Sequence, residues 1–118
     1  PSGGTFSGNG VSGSSFNPAA ASPGNSMLFY NYTDANSCSN SDSVSTTIFS
    51  QPTVSFASQS DICESSTAHA LTGGLPLGGS YSGSGIIGSN FYALASGVGI
   101  HNLTYSYTDG NGCSNSAN

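Results

Sequence analysis

The clearest pattern in the chain is an alternation in which Leu103, Tyr105 and Tyr107 are separated by Thr104, Ser106 and Thr108. A period of two puts the three large side chains on one face of a β-strand and the hydroxyls on the other. One face should therefore be buried. The tetrad Asp109-Gly110-Asn111-Gly112 that follows is a turn signal, because Asp and Asn bond the nearby backbone and Gly accepts positive φ. Shorter apolar groups between small residues predict further strands at Thr53–Phe56 after Pro52, at Asp61–Thr72 with Ile62, Cys63 and Leu71, and at Gly78–Gly85 around Tyr81. Ile86-Ile87, Phe91-Tyr92 and Ser43–Ser50, the last with Val44, Thr46, Ile48 and Phe49, complete the set. Neither a 3.6-residue period nor a helix start or stop signal is apparent, so no helix is expected.

The same pattern occurs twice. Residues 1–43 align without a gap on residues 76–118, an offset of 75, with 21 identities in 43 positions. Tyr30 and Tyr32 fall on Tyr105 and Tyr107, Leu28 on Leu103, Phe16 on Phe91, and Gly3-Gly4 on Gly78-Gly79. The densest match is Tyr-Thr-Asp-x-Asn-x-Cys-Ser-Asn-Ser, at 32–41 and 107–116. A fixed period of this kind marks a duplicated structural unit. Short strands at about ten-residue spacing, joined by Gly- and Asn-rich turns, predict an all-β fold built of immunoglobulin-like sandwiches of about 75 residues. Residues 1–51 are then the later strands of one module. Residues 52–118 are a second that stops before its last strand, so that the sequence reads as a section of a longer array or as a chain completed by its neighbours.

Composition narrows the chemistry. The 118 residues include no Lys and no Arg, five Asp and Glu, and two His, for a formal charge of −5. Nucleic-acid binding, which rests on cations meeting phosphate, is excluded, as are Schiff-base lysines and arginine clamps. Leu, Ile, Val and Phe total 21 residues, a thin core for this length. Low charge argues against disorder all the same, which usually joins low hydrophobicity to self-repulsion. No apolar run approaches the roughly 20 residues of a membrane span.

Three cysteines, none in a Cys-x-x-Cys pair and none beside a His, argue for a disulfide over a zinc site. Cys63 and Cys113 can staple the second module across a separation of 50 residues, which loop entropy values at about 4 kcal/mol. Cys38 matches Cys113 and would then pair with an upstream module. The alternative joins Cys38 to Cys63. Either bond places the protein in an oxidising, extracytoplasmic compartment.

Candidates for chemistry are few. A nucleophilic Ser with His69 or His101 and an acid lacks the Gly-x-Ser-x-Gly elbow, and His101 aligns with Ser26. Asp61 and Glu64 straddle Cys63 and read as solvated edge charges rather than as a glycosidase pair. No cofactor is expected. Calcium at Asp34/Asn36 and Asp109/Asn111 is the one metal alternative, but each turn offers a single carboxylate where calcium takes six to eight oxygens, so turn capping is preferred. Tyr30, Tyr32, Tyr105 and Tyr107 read as core rather than as a sugar platform. Asn31 and Asn102 open Asn-x-Thr acceptor triplets for glycosylation.

The run from Leu71-Thr72-Gly73-Gly74 through Pro76, Gly78-Gly79, Tyr81-Ser82-Gly83 and Gly85, then Phe91, Gly97-x-Gly99, and Leu103-Thr104-Tyr105-x-Tyr107-Thr108-Asp109-x-Asn111-Gly112-Cys113 resembles a known pattern. It is similar to the immunoglobulin-like or PKD-like repeats arrayed in long cell-surface adhesins and filament proteins of Bacteroidetes-type bacteria. The resemblance covers the chain in two registers. The first copy departs from it at Asn36-Ser37-Cys38, which has no glycine for Gly112, and at Asn17-Pro18. It implies an exported, non-enzymatic scaffold or adhesin whose partners are copies of the same module, in a homopolymer or a tandem array. Val44, Thr46, Ile48 and Phe49 are the expected closing or donor strand. It also implies O-glycosylation at Ser43, within Asp42-Ser43-Val44. The competing reading is a carbohydrate-binding sandwich with Tyr81, Tyr92 or Phe16 as its platform.

Overall fold

Each copy of the repeat folds around the strand that carries its Tyr-x-Tyr alternation. The computed structural model describes residues 1–64 and 67–118 and separates into two units, Pro1–Ser50 and Gln51–Asn118. Strand accounts for 42% and helix for 6% of the described residues, which fixes the class as all-β.

The first unit contains β1 (Thr5–Ser7), β2 (Val11–Ser12), β3 (Ser15–Phe16), β4 (Gly24–Thr33) and β5 (Ser39–Ile48). β4 and β5 form a ten-pair antiparallel hairpin from Gly24↔Ile48 to Thr33↔Ser39, and β1 joins the other edge of β4 with Phe6 opposite Tyr30. The middle of β4 carries large apolar side chains on both faces, with Leu28 and Tyr30 on one side and Met27 and Phe29 on the other, which suits a long strand. β2 and β3 form a separate two-residue ladder.

The second unit contains β6 (Ser55–Phe56), β7 (His69–Ala70), β8 (Gly74–Leu75), β9 (Ser80–Ser82), β10 (Ile86–Ile87), β11 (Asn90–Phe91), a single turn α1 (Ala93–Ser96), β12 (Thr104–Thr108) and β13 (Ser114–Ala117). Three small antiparallel sheets result, ordered β9-β12-β13, β7-β11-β10 and β6-β8. Adding 75 to the starts of β1, β2, β3 and β5 gives the starts of β9, β10, β11 and β13, and Thr33 and Thr108 end β4 and β12 alike.

Two apolar clusters form the interior of the second unit. Tyr105 is 2% exposed and packs against Tyr81 at 4.8 Å between ring centroids, with Phe56 5.3 Å from Tyr81 and 6.3 Å from Tyr105. Leu71, Phe91 and Ala93 form the other cluster, with Ile62, Ile86, Leu103 and Tyr81 against it, so that Tyr81 joins the two.

Several expectations need correction. Asp61–Thr72 is not one strand: only His69 and Ala70 pair, with Phe91 and Asn90, and Ser65 and Ser66 lie outside the described residues. The run is mostly Ser, Thr, Asp and Glu, which favour local side-chain bonds over a ladder. Gly78–Gly85 shrinks to Ser80–Ser82 as a strand. β5 begins at Ser39, four residues before the expected start. Two short helical turns are present where the sequence pattern predicts none, α1 and a 3-10 turn at Pro18–Ala20. The 3-10 turn has a readable cause. Asn17 Oδ1 accepts from Ala19 N at 3.0 Å and Pro18 occupies the first helical position, a combination of N-cap and N1 proline.

Candidate functional site

The repeat is held by one device used twice. In the second unit the buried Tyr105 hydroxyl donates to Pro76 O at 2.6 Å and accepts from Gly79 N at 2.7 Å. In the first, Tyr30 donates to Pro1 O at 2.5 Å and accepts from Gly4 N at 2.8 Å. Buried hydroxyls must find partners, and here both partners are main chain. Gly4 and Gly79 are required by the approach itself, since a Cβ at Gly79 would lie 2.5 Å from Tyr105 Cζ and one at Gly4 would collide with Tyr30 in the same way. The alternation marked these tyrosines as core, but the reach of their hydroxyls across 29 residues carries no local sequence signal.

The Asp-x-Asn-x-Cys turns are a second duplicated device. Asp34 Oδ1 accepts from Asn36 N and Cys38 N, both at 2.8 Å, and Asp109 Oδ1 accepts from Asn111 N and Cys113 N, both at 2.9 Å. Each carboxylate is thereby engaged in closing its turn. No group of three metal-ligating side chains occurs among the described residues. Ser37 stands at φ +65°, where Gly112 stands at +83°, so the departure from glycine leaves the turn intact.

A cleft of about 400 Å³ in the second unit is lined by Asp61, Ile62, Glu64, Phe91, His101 and Leu103, among others. His69 is not among its lining residues. His101 stacks near Phe91, 5.7 Å between centroids, and its Nε2 lies 2.8 Å from Gly97 O. A carbonyl can only accept, so Nε2 carries the proton and donates it. The contact anchors the ring to the end of α1 and commits that nitrogen to the backbone.

The other sequence candidates are dispersed. Among the described residues no disulfide is formed; Cys38 and Cys63 are exposed and Cys113 is half-buried. Ser43 is exposed in the middle of β5, with its N–H donating to Asp42 Oδ1 at 2.8 Å. Asn31 is exposed and donates to Ser7 Oγ at 3.3 Å, and Asn102 is exposed. Val44, Thr46 and Ile48 already pair with β4, so they close their own unit, and Phe49 follows β5. Tyr81 belongs to the aromatic core, while Tyr92 and Phe16 are half-buried.

A surface the sequence did not mark lies on the first unit. Phe6, Leu28, Phe29, Tyr30 and Val44, with Asp42 and Ser43, line a shallow apolar cleft of about 180 Å³. Phe6 is 51% and Val44 61% exposed. No helix among the described residues is long and apolar enough to cross a membrane. No protein-family model matches the chain, and no curated protein or solved structure shows a significant likeness to it.

Proposed function

We propose that the chain is a section of an extracellular structural or adhesive protein, built of immunoglobulin-like modules of about 75 residues that follow one another along a stalk or filament. The observation that carries this reading is the double use of one plan: the same tyrosine clamp, the same Asp turn and the same strand starts recur at an offset of 75. Evenly spaced copies of one unit are how proteins gain length, and stability in such arrays is shared between neighbours. A surface of Ser, Gly, Thr and Asn fits the same role, since it stays hydrated without ion pairs. Cys63 and Cys113 lock the second module once exported, and Cys38 pairs outside the first. Glycans on Ser43, Asn31 or Asn102 would sit on exposed strand or edge positions.

The test uses the absence of Lys and Arg. On intact cells of the source organism, trypsin should leave this 118-residue stretch uncut, as read by an antibody raised against it, while proteinase K removes it. Protection from proteinase K until lysis overturns the reading. Intact mass of the native protein, before and after reduction, should differ by the hydrogens of the disulfides, and the mass lost on chemical deglycosylation reads the glycans.

A further inference from the structure

Two Asn-Gly dipeptides occur in the chain, Asn9-Gly10 in the first unit and Asn111-Gly112 in the second, and both asparagines are exposed. Such a pair carries its own chemistry. The main-chain nitrogen of the glycine lies one ring closure from the side-chain carbonyl carbon of the asparagine, and no Cβ obstructs the approach. Attack needs two freedoms: the nitrogen must give up its proton, and the peptide must turn toward Cγ. In the second unit both are withheld. Gly112 N donates to Asp109 O at 3.1 Å, while Asp109 Oδ1 accepts from Asn111 N and Cys113 N, both at 2.9 Å. In the first unit, Gly10 N and the Asn9 side chain take part in no hydrogen bond among the described residues. The turn there rests on other groups: Val11 N donates to Gly8 O at 3.2 Å and Asn17 N to Gly10 O at 2.8 Å. Its counterpart has Ser84 in place of Asn9, also exposed, with Ile86 N donating to Gly83 O at 3.4 Å and Tyr92 N to Gly85 O at 2.8 Å. The asparagine is therefore not what builds the turn.

We propose that Asn9-Gly10 is a site of self-modification, at which the native fold leaves the asparagine to deamidate while Asn111-Gly112 is protected. Gly10 N loses its proton and bonds to Asn9 Cγ, the side-chain nitrogen leaves as ammonia, and a cyclic imide closes. Water, the sole co-reactant, then opens the imide at one carbonyl or the other. One opening gives aspartate at position 9; the other gives isoaspartate, in which the main chain runs through the former side chain. Either product adds a negative charge to a chain that has no Lys or Arg to answer it. Isoaspartate also inserts a carbon into the backbone of the turn between β1 and β2, which the bond from Val11 N to Gly8 O must then span. The site rests on the hydrogen bonds of the two turns and not on the array proposal.

The experiment holds the 118-residue protein in mildly alkaline buffer, with and without urea, and digests timed samples with pepsin in acid, where ring closure is suppressed. The peptides holding Asn9 and Asn111 are weighed for the exchange of a side-chain amide for an acid, and chromatography separates the isoaspartyl product. In the native protein Asn9 should convert about tenfold faster than Asn111 or more, since Gly112 must first break a main-chain hydrogen bond in a braced turn. In urea the two rates should converge, because both dipeptides are then unrestrained. Asp109→Ala removes the brace and should raise the rate at Asn111 toward its value in urea while leaving Asn9 unchanged. Asn9→Ser, which copies the other unit, should remove the first acidic species to appear on native ion exchange. Equal native rates, a faster Asn111, or an Asn9 that survives in the native protein while it converts in urea each overturn the proposal.

Discussion

The two units carry the same tyrosine clamp in different surroundings. Tyr105 is 2% exposed beneath Phe56 and Gly74, whereas Tyr30 keeps the same two hydroxyl bonds while half-buried beside a Phe6 that is 51% exposed. The clamp therefore does not depend on burial for its geometry. Burial decides what the clamp contributes, because a hydroxyl shielded from water has no alternative partner and a ring under cover loses all its packing when removed.

That contrast can be broken most forcefully by removing the ring. Tyr105→Ala should destabilise the second unit by about 3–5 kcal/mol, the range for deleting a large buried side chain. Tyr30→Ala should cost the first unit well under half of that, as read by urea denaturation with unit-specific NMR signals. Phe56→Ala makes the second unit resemble the first, with an expected loss of about 1.5–3 kcal/mol and faster hydrogen exchange at Gly79 N. Equal losses for Tyr105→Ala in the presence and absence of Phe56 would show that the cover adds nothing.

Removing only the hydroxyl is a finer probe. Tyr105→Phe leaves Gly79 N–H and Pro76 C=O without their partner at a cost of about 1–3 kcal/mol, while Tyr30→Phe, whose carbonyl partner on Pro1 is exposed, should cost less than about 1 kcal/mol. The smallest effect lies in the turn. Ser37 at φ +65° bears a side chain where glycine is free of strain, so Ser37→Gly should stabilise the first unit by about 1 kcal/mol. Gly112→Ser should cost the second unit a similar amount. A destabilising Ser37→Gly would show that its side chain matters more than its backbone angle.

Much of this arrangement is legible in the sequence. The alternation at Leu103, Tyr105 and Tyr107 marked a strand with a buried face, and the Asp109–Gly112 tetrad marked its turn. The offset of 75 carried both to the first copy. Short elements escaped because a ladder of two residues, such as Ser55–Phe56 or His69–Ala70, has no period to detect. The 3-10 turn is the opposite case: Asn17-Pro18 is a helix start, an N-cap followed by an N1 proline, but the other copy has Tyr92-Ala93 there, so the repeat does not reinforce the signal. The cleft of the first unit is not legible because Phe6, Leu28 and Val44 reach it from three different strands, and which strands meet has no local signal.

The clamp also bears on how far such a unit can drift. Both partners of each tyrosine hydroxyl are backbone atoms, one a carbonyl and one an amide, so the bond does not care which side chains flank them. Ser2 becomes Leu77, Thr5 becomes Ser80 and Asn31 becomes Ser106, and more than half of the aligned positions differ, while the hydroxyl bonds stay within 0.1 Å of one another. A unit fastened in this way asks for one tyrosine and one glycine at a fixed distance and leaves most of its surface free to be rewritten. Each copy can then change its exposed face without renegotiating its fold.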